Sequence, residues 1–305
     1  MRISVIQQLM GIGYDYLSEE YPSLEVLRER ADERMNTCEK LIREAAEEGT
    51  DLAVTVETVN ALTALGDTRY EYRDLFSGEE SEDVKRFSSL ARELGIYIVA
   101  GLILTLGGEA YNCAVLFGKQ GEIIGIHKKV HMPAGEEKHV KAGDRYEVFP
   151  TEHGNIGMLV CWDLQYPEAA RELALGGADL ICCPTMGWEN IYGLCRAYEN
   201  SVTIAAAMVA YRSNGPTLCN PSCIVDNMGS VVAMAEEGAT CYLTAEVDIR
   251  KEPALQYNSG LFYPSHSMRK TRFTQRRPDT YTLSDKPMCD TPLYKRYFAD
   301  GEKGD

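Results

Sequence analysis

The stretch Asn155-Ile156-Gly157-Met158-Leu159-Val160-Cys161-Trp162-Asp163-Leu164-Gln165-Tyr166-Pro167-Glu168-Ala169-Ala170-Arg171 runs from an apolar segment into a cysteine and on to a proline six residues later. Ile156–Cys161 reads as a short buried strand. Pro167 suits the first turn of a helix, where its missing N–H would have no partner anyway. A helix is therefore predicted over Pro167–Leu175, closed by Gly176-Gly177. A second apolar run, Leu180–Cys183, follows at once. Strand, helix and strand alternate here, so the chain is read as α/β.

The same alternation extends outward in both directions. Ile3–Gln8 reads as a strand, and Leu24, Leu27, Ala31, Met35, Cys38, Ile42 and Ala45 recur at three- and four-residue spacing, the stripe of an amphipathic helix ended by Gly49. Leu52–Val56 is an apolar, β-branched run bounded by Asp51 and Glu57. Ser81 is placed to cap a helix bearing Val84, Phe87, Leu90, Ala91 and Leu94, stopped at Gly95. Strands are predicted at Ile96–Leu104, Asn112–Phe117 and Glu122–Ile126, the last two forming a hairpin through Gly118–Gly121. Beyond the opening stretch a helix is predicted over Glu189–Ser201. Strands follow at Val202–Ala210, Cys223–Asp226, Val231–Met234 and Cys241–Val247. Periodicity fades from about Tyr257. With no linker between two cores, residues 1–256 are read as one large α/β domain with a mixed sheet. Residues 257–305 are read as an extension over that domain or a partner subunit.

Composition narrows the function classes. Of 305 residues, 46 are acidic and 31 basic, a formal charge of −15. Nucleic acid and anionic membranes call for Lys and Arg concentrated on one face, so neither is expected as a partner. The uncharged stretch around Val202–Ala210 is far shorter than the ~20 residues of a membrane helix. No secretory signal is recognised, and most of the ten cysteines sit in apolar runs. Reduced thiols in a cytoplasmic protein are the reading. The five histidines show no ligand spacing with Cys or Asp, so no metal or organic cofactor is expected.

Three residues stand out for chemistry. Cys161, at a strand-to-helix turn, is held where a thiol can face a cleft beside outward-pointing backbone N–H groups, the arrangement an acyl-transfer nucleophile requires. A thiol needs a base or a cation to act as thiolate. Glu57 closes the run Asp51–Glu57, and a carboxylate partly desolvated there suits a general base near neutrality. Lys129, in His127-Lys128-Lys129-Val130-His131-Met132-Pro133, is a cation able to meet a developing oxyanion.

The order Glu57, Lys129, Cys161 resembles the nitrilase, or carbon–nitrogen hydrolase, superfamily. Tyr111-Asn112 with Val115-Leu116-Phe117, Gly121 and Ile124-Gly125 resembles the family's strand pair before the lysine. Ala142-Gly143-Asp144 resembles its following turn. Gly177-Ala178-Asp179-Leu180 with Pro184-Thr185, and Arg196-Ala197-Tyr198-Glu199-Asn200, are similar to the segments after the cysteine. A weaker echo is found in Arg276-Arg277-Pro278-Asp279-Thr280-Tyr281.

The resemblance implies a four-layer α-β-β-α sandwich with two mixed sheets covered by helices. It implies Glu57 as general base, Lys129 as oxyanion-stabilising cation, Cys161 as nucleophile and the Trp162 backbone N–H as second oxyanion donor. A second glutamate, seven residues before Gly143, falls on Glu136, with Glu137 chosen by a one-residue shift. The resemblance also implies pairing of copies through Tyr166–Leu175 and Glu189–Ser201, as a homodimer or higher homo-oligomer. Arg171 and Arg196 with Glu199 are then interface or scaffold ion pairs. Cys161-Trp162-Asp163 with Tyr166-Pro167-Glu168-Ala169-Ala170-Arg171 is more similar to the amidase and N-carbamoyl-amine branches, including N-carbamoylputrescine amidohydrolases, than to true nitrilases. The expected activity is hydrolysis of a linear amide or N-carbamoyl compound. Departures at Ala207-Met208-Val209-Ala210-Tyr211 and Thr58–Leu62 make Met186, Trp188, Tyr192 and Met208 candidate substrate-binding residues. Acyl transfer to an amine, nitrile hydrolysis and an idle scaffold subunit remain alternatives. The absence of Cys-x-x-Cys speaks against a thiol-redox protein.

Overall fold

The computed structural model describes residues 1–9, 22–62, 75–76, 78–187, 189–210, 220–251 and 267–294. The chain divides into two units, Met1–Pro253 and Ala254–Asp305.

In the first unit the elements run β1 (Arg2–Leu9), α1 (Leu24–Glu47), β2 (Leu52–Val54), α2 (Glu82–Leu94), β3 (Tyr97–Leu106), β4 (Glu109–Phe117) and β5 (Ile123–Lys128). They continue with β6 (Val148–Pro150), β7 (Asn155–Met158), α3 (Pro167–Leu175), β8 (Leu180–Thr185), α4 (Asn190–Asn200) and β9 (Thr203–Ala210). The last three are β10 (Cys223–Val225), β11 (Val231–Met234) and β12 (Cys241–Glu246).

The strands form one path in the order β5-β4-β3-β2-β1-β9-β8-β7-β6, with β12 on β1, β10 on β9 and β11 on β10. β1, β2 and β3 are parallel, as are β7, β8 and β9, and antiparallel strands flank both sets. Among the described residues the two sets are hydrogen-bonded to each other where Gln8 pairs with Val209 and Leu9 with Ala210. The expected pair of mixed sheets is thus joined at one corner into a single array.

Helix signals in the sequence have direct physical counterparts. Ser23 Oγ accepts the Val26 N–H at the start of α1, and Ser81 Oγ accepts the Val84 N–H at the start of α2. Gly95 ends α2 with φ +64°, a conformation that penalises a Cβ. The α1 stripe (Met35, Cys38, Ile42) and the α2 stripe (Val84, Phe87, Leu90, Ala91) pack with Ile6, Ala53, Ile98, Ala100 and Leu102 in one apolar cluster. A second cluster draws Ile3, Val5, Leu52, Val54 and Val99 from one half of the array and Ile156, Met158, Leu180, Cys182 and Ala205 from the other. Helix-on-strand and strand-on-strand packing therefore both contribute to the core.

Several boundaries differ from the sequence reading. β2 stops at Val54 rather than running to Val56. Thr55 makes one more ladder bond, from its N–H to Val99 O, and its hydroxyl then accepts the Gly101 N–H at 2.9 Å. That side-chain acceptor replaces a strand carbonyl, and the backbone turns. Glu57 therefore lies in a turn beyond the strand and does not close it. β7 ends at Met158, and Cys161 opens a 3₁₀ turn, Cys161–Gln165. Short β6 carries no signal in the sequence reading, nor does the helix α5 (Met268–Thr274) of the second unit, which Ser267 caps by accepting the Lys270 N–H. Among the described residues no helix is long and apolar enough to cross a membrane, and every cysteine is a free thiol. Cys219 lies outside them.

Candidate active site

The carboxyl ends of parallel strands, where backbone leaves the sheet, are the usual place for a site in α/β architecture. Here Glu57 follows β2, Cys161 follows β7 and Met186 follows β8. Lys129 comes in on the end of β5, the far arm of the β4–β5 hairpin. Its main chain is held on both sides, the N–H donating to Asn112 O at 2.8 Å and the carbonyl accepting from Gly143 N at 2.7 Å. Gly143 packs so closely on the Lys128 carbonyl that a Cβ would collide with it, which accounts for a glycine in the Ala142-Gly143-Asp144 turn.

The side chains converge on a buried ion cluster. Lys129 Nζ donates to Glu57 Oε1 at 3.0 Å and to Glu136 Oε2 at 2.7 Å, and all three residues are at most 3% exposed. Asn112 Nδ2 donates to both carboxylates as well, 2.7 Å to Glu57 Oε1 and 3.0 Å to Glu136 Oε1. The backbone N–H of Met186 donates to Glu57 Oε2 at 2.8 Å. The geometry selects Glu136 over its neighbour: Glu137 is exposed and its carboxylate accepts the Gly135 N–H.

Charge follows from this enclosure. Burial alone would lower the Lys129 pKa, but Glu57, Cys161 and Glu136 outweigh it and hold the ammonium above the ordinary lysine range. Burial raises Glu136, with Lys129 and the Asn112 amide pulling the other way. Cys161 keeps partial exposure as a residue, yet its sulfur is enclosed, and burial pushes the thiol up to about 12. The nearby Glu57 charge raises it further, while Lys129, the Thr185 hydroxyl and the Met186 N–H pull it down. A thiol of this kind needs a base at the moment of attack.

Backbone strain is concentrated at the same place. Among the described residues only Thr58, Cys161 and Ser201 are non-glycine residues with positive φ, at 50°, 46° and 51°. Two of them sit at or beside candidate reacting groups, and such conformations persist only where the surroundings enforce them. Arg196 on α4 supplies part of that enforcement: its guanidinium donates to the carbonyls of Leu164 (3.3 Å) and Gln165 (2.8 Å) and pairs with Glu199. Of the interface and scaffold roles expected for Arg196, these contacts within the chain fit a scaffold.

Asp163 supplies the rest. Fully buried, its carboxylate accepts the N–H groups of Val160, Val130 and His131 at 3.1, 3.1 and 2.8 Å. His127 Nε2 lies 2.9 Å and His131 Nδ1 3.2 Å from the same carboxylate. Burial opposes ionisation, but these side-chain and backbone bonds hold the Asp163 carboxyl well below the usual carboxylate range. His131 also stacks on Tyr166, ring centroids 3.8 Å apart.

Of the candidate substrate-binding residues, Met186 has its sulfur near the Thr58 hydroxyl, and Tyr192 donates its hydroxyl to Glu189. Met208 is buried in β9 opposite Thr185, and Trp188 lies outside the described residues. The sequence reading did not find the roles of Asn112, Asp163, His127 or His131. In the sequence the histidines show only that they lack metal-ligand spacing, and Asp163 reads only as a mark of substrate branch. A carboxylate inside the apolar run around Cys161 was the available signal.

Comparison with known proteins agrees with this architecture. The carbon–nitrogen hydrolase family profile matches residues 22–255. An omega-amidase of Xenopus laevis is 31% identical over 274 residues, 83% of this chain and 93% of that protein. A nitrilase of Pyrococcus abyssi is 32% identical over 229 residues, 72% of this chain and 84% of that one. The crystal structure of an amidase from Nesterenkonia sp. shares the fold, with a TM-score of 0.66 at 23% identity over 81% of this chain and 90% of that one. An α/β array of the nitrilase type, a family profile covering most of the chain and relatives at this identity lead to one conclusion: the chain belongs to the carbon–nitrogen hydrolase family.

Proposed function

We propose that this protein hydrolyses the C–N bond of a linear amide or N-carbamoyl compound, with Cys161 as nucleophile. The observation that carries the reading is Lys129 Nζ held between Glu57 and Glu136 beside a thiol whose charge environment includes both Lys129 and Glu57. Glu57 takes the Cys161 proton as sulfur bonds to the carbonyl carbon. The oxyanion that forms meets the Lys129 ammonium and the backbone N–H of Trp162, which precedes the first hydrogen bond of its 3₁₀ turn, Asp163 N–H to Val160 O. Glu57 returns the proton to the departing amine or ammonia, the C–N bond breaks, and a thioester remains. Water, deprotonated by the same carboxylate, attacks the thioester and releases the acid and the thiol. Glu136 holds Lys129 in place.

Relatives named omega-amidase and nitrilase support chemistry at a carbon–nitrogen bond. The likeness of Cys161-Trp162-Asp163 to the carbamoyl branch keeps N-carbamoyl amines among the substrates. The four-layer sandwich belongs to the same reading, supported by the helix-on-strand and strand-on-strand clusters. So does self-association through α3 and α4, where Tyr166, Leu175, Ile191 and Tyr198 are exposed. Ammonia release is to be measured against linear amides, N-carbamoyl amines, N-carbamoyl amino acids and nitriles, for wild type and Cys161→Ala side by side. Release from amide or carbamoyl members that disappears in the variant is expected. Multiple turnover by Cys161→Ala would overturn the nucleophile assignment, and activity on nitriles alone would overturn the substrate class.

A further inference from the structure

Asn112 lies on β4 with no exposed surface, and it touches every other member of the ion cluster. Its backbone carbonyl accepts the Lys129 N–H and so fixes where the lysine leaves the hairpin. Its side-chain nitrogen donates to both Glu57 Oε1 and Glu136 Oε1, on the same two carboxylates that flank Lys129 Nζ. Its side-chain oxygen is buried and has no partner. The amide orientation is dictated by this: turned over, the oxygen would face two carboxylates and the nitrogen would face none. The side chain is used as a donor only, and its acceptor is left unpaired in the interior.

The charge count explains why such a donor is needed. Two buried carboxylates share one buried ammonium, leaving one negative charge uncompensated when both are ionised. A second cation would neutralise it but would also compete with Lys129 for both carboxylates. A neutral amide supplies two N–H groups without adding charge, and hydrogen bonds to the ionised form favour it. We propose that Asn112 is a positioning residue of the hydrolytic site, holding Glu57 and Glu136 apart, ionised and aimed at Lys129. The kinetic part of this inference rests on the function proposed above; the electrostatic part does not.

The test uses Asn112→Ala, with Asn112→Ser as a milder variant whose hydroxyl can serve one carboxylate. Thermal melts of both and of wild type are taken from pH 4 to pH 8. Removal of the donor makes the carboxylate pair harder to ionise in the fold, so the Tm deficit of Asn112→Ala grows as pH rises from 4 to 7. The Asn112→Ser deficit should be smaller. In turnover, the acid limb of the kcat/KM profile of Asn112→Ala moves up by about one pH unit, the scale of one charged hydrogen bond, and kcat falls more than KM changes. An equal Tm deficit at every pH, or an acid limb that stays in place while activity falls, would reduce Asn112 to packing and overturn the proposal. If Cys161→Ala still turns over, the hydrolytic reading fails while the melts continue to judge Asn112. Should Asn112→Ala not fold, the same comparison is decided by Asn112→Ser.

Discussion

Asp163 accepts the backbone N–H of His131 at 2.8 Å, and this contact fastens the turn that carries Cys161 to the loop that carries Lys129. The two candidate reacting groups arrive on different strands, β7 and β5, which are not neighbours in the sheet order. Their separation is therefore set by what joins the segments beyond the strand ends. The Val160 and Val130 N–H groups, bonded to the same carboxylate, complete the clamp.

Asp163→Asn keeps the shape but replaces part of the acceptor with a donor, setting backbone N–H groups against an amide. We expect a loss of about 2–4 kcal/mol, the range for disrupting a buried hydrogen-bonded charge, and a fall in kcat. The native carboxyl is depressed, so its stabilisation is present above the unfolded Asp pKa of about 3.9 and fades as pH falls through the native value. The Tm deficit of the variant should be largest near neutrality and shrink in acid. Melts at pH 3 and pH 7 check this.

Gly101→Ala tests how closely β3 supports Glu57. A Cβ at Gly101 would press on the Val56 carbonyl and lie 2.8 Å from Glu57 Cα and 2.9 Å from Pro184 Cβ. Because Gly101 O also accepts the Val59 N–H, the turn cannot shift without losing that bond. Overpacking of this kind costs about 1–3 kcal/mol. We expect that loss in urea denaturation, with a drop in kcat/KM larger than the loss of folded protein explains.

Glu57→Gln separates the base from the scaffold. Turnover should be abolished. Removing the negative charge also removes one cause of the raised Cys161 pKa, so the thiol becomes more acidic. The pH midpoint for alkylation of Cys161 by iodoacetamide should move down relative to wild type. A midpoint that moved up would show that the carboxylate does not act on the thiol.

Lys129→Met removes the cation and leaves Glu57 and Glu136 buried together. Stripping one partner from a buried ion cluster costs about 3–5 kcal/mol. Glu136, raised by burial and pulled down by Lys129, loses that pull and titrates above the unfolded value of about 4.3, so it costs nothing extra in acid and progressively more as pH rises. Activity is lost at every pH, but the stability deficit, measured by urea denaturation, should be smaller at pH 4 than at pH 7.

The sequence by itself determined the local elements and singled out the candidate reacting groups. Apolar spacing, Ser23 and Ser81 at helix starts and Gly95 at a helix end act over a few residues, so α1, α2 and α3 can be read from the chain within a residue or two. The order Glu57, Lys129, Cys161 points to the family without any coordinate. What only the tertiary structure decided are the relations between segments far apart in the chain. The choice of Glu136 over Glu137 depends on which side of a turn faces Lys129, a matter of rotation that charge pattern does not encode. Glu57 leaves its strand early because the Thr55 hydroxyl takes a bond from Gly101 on β3, a partner invisible to local reading. Asn112 and Asp163 look ordinary in sequence, since a polar side chain becomes a positioning device only when burial strips away water and leaves it with specific partners.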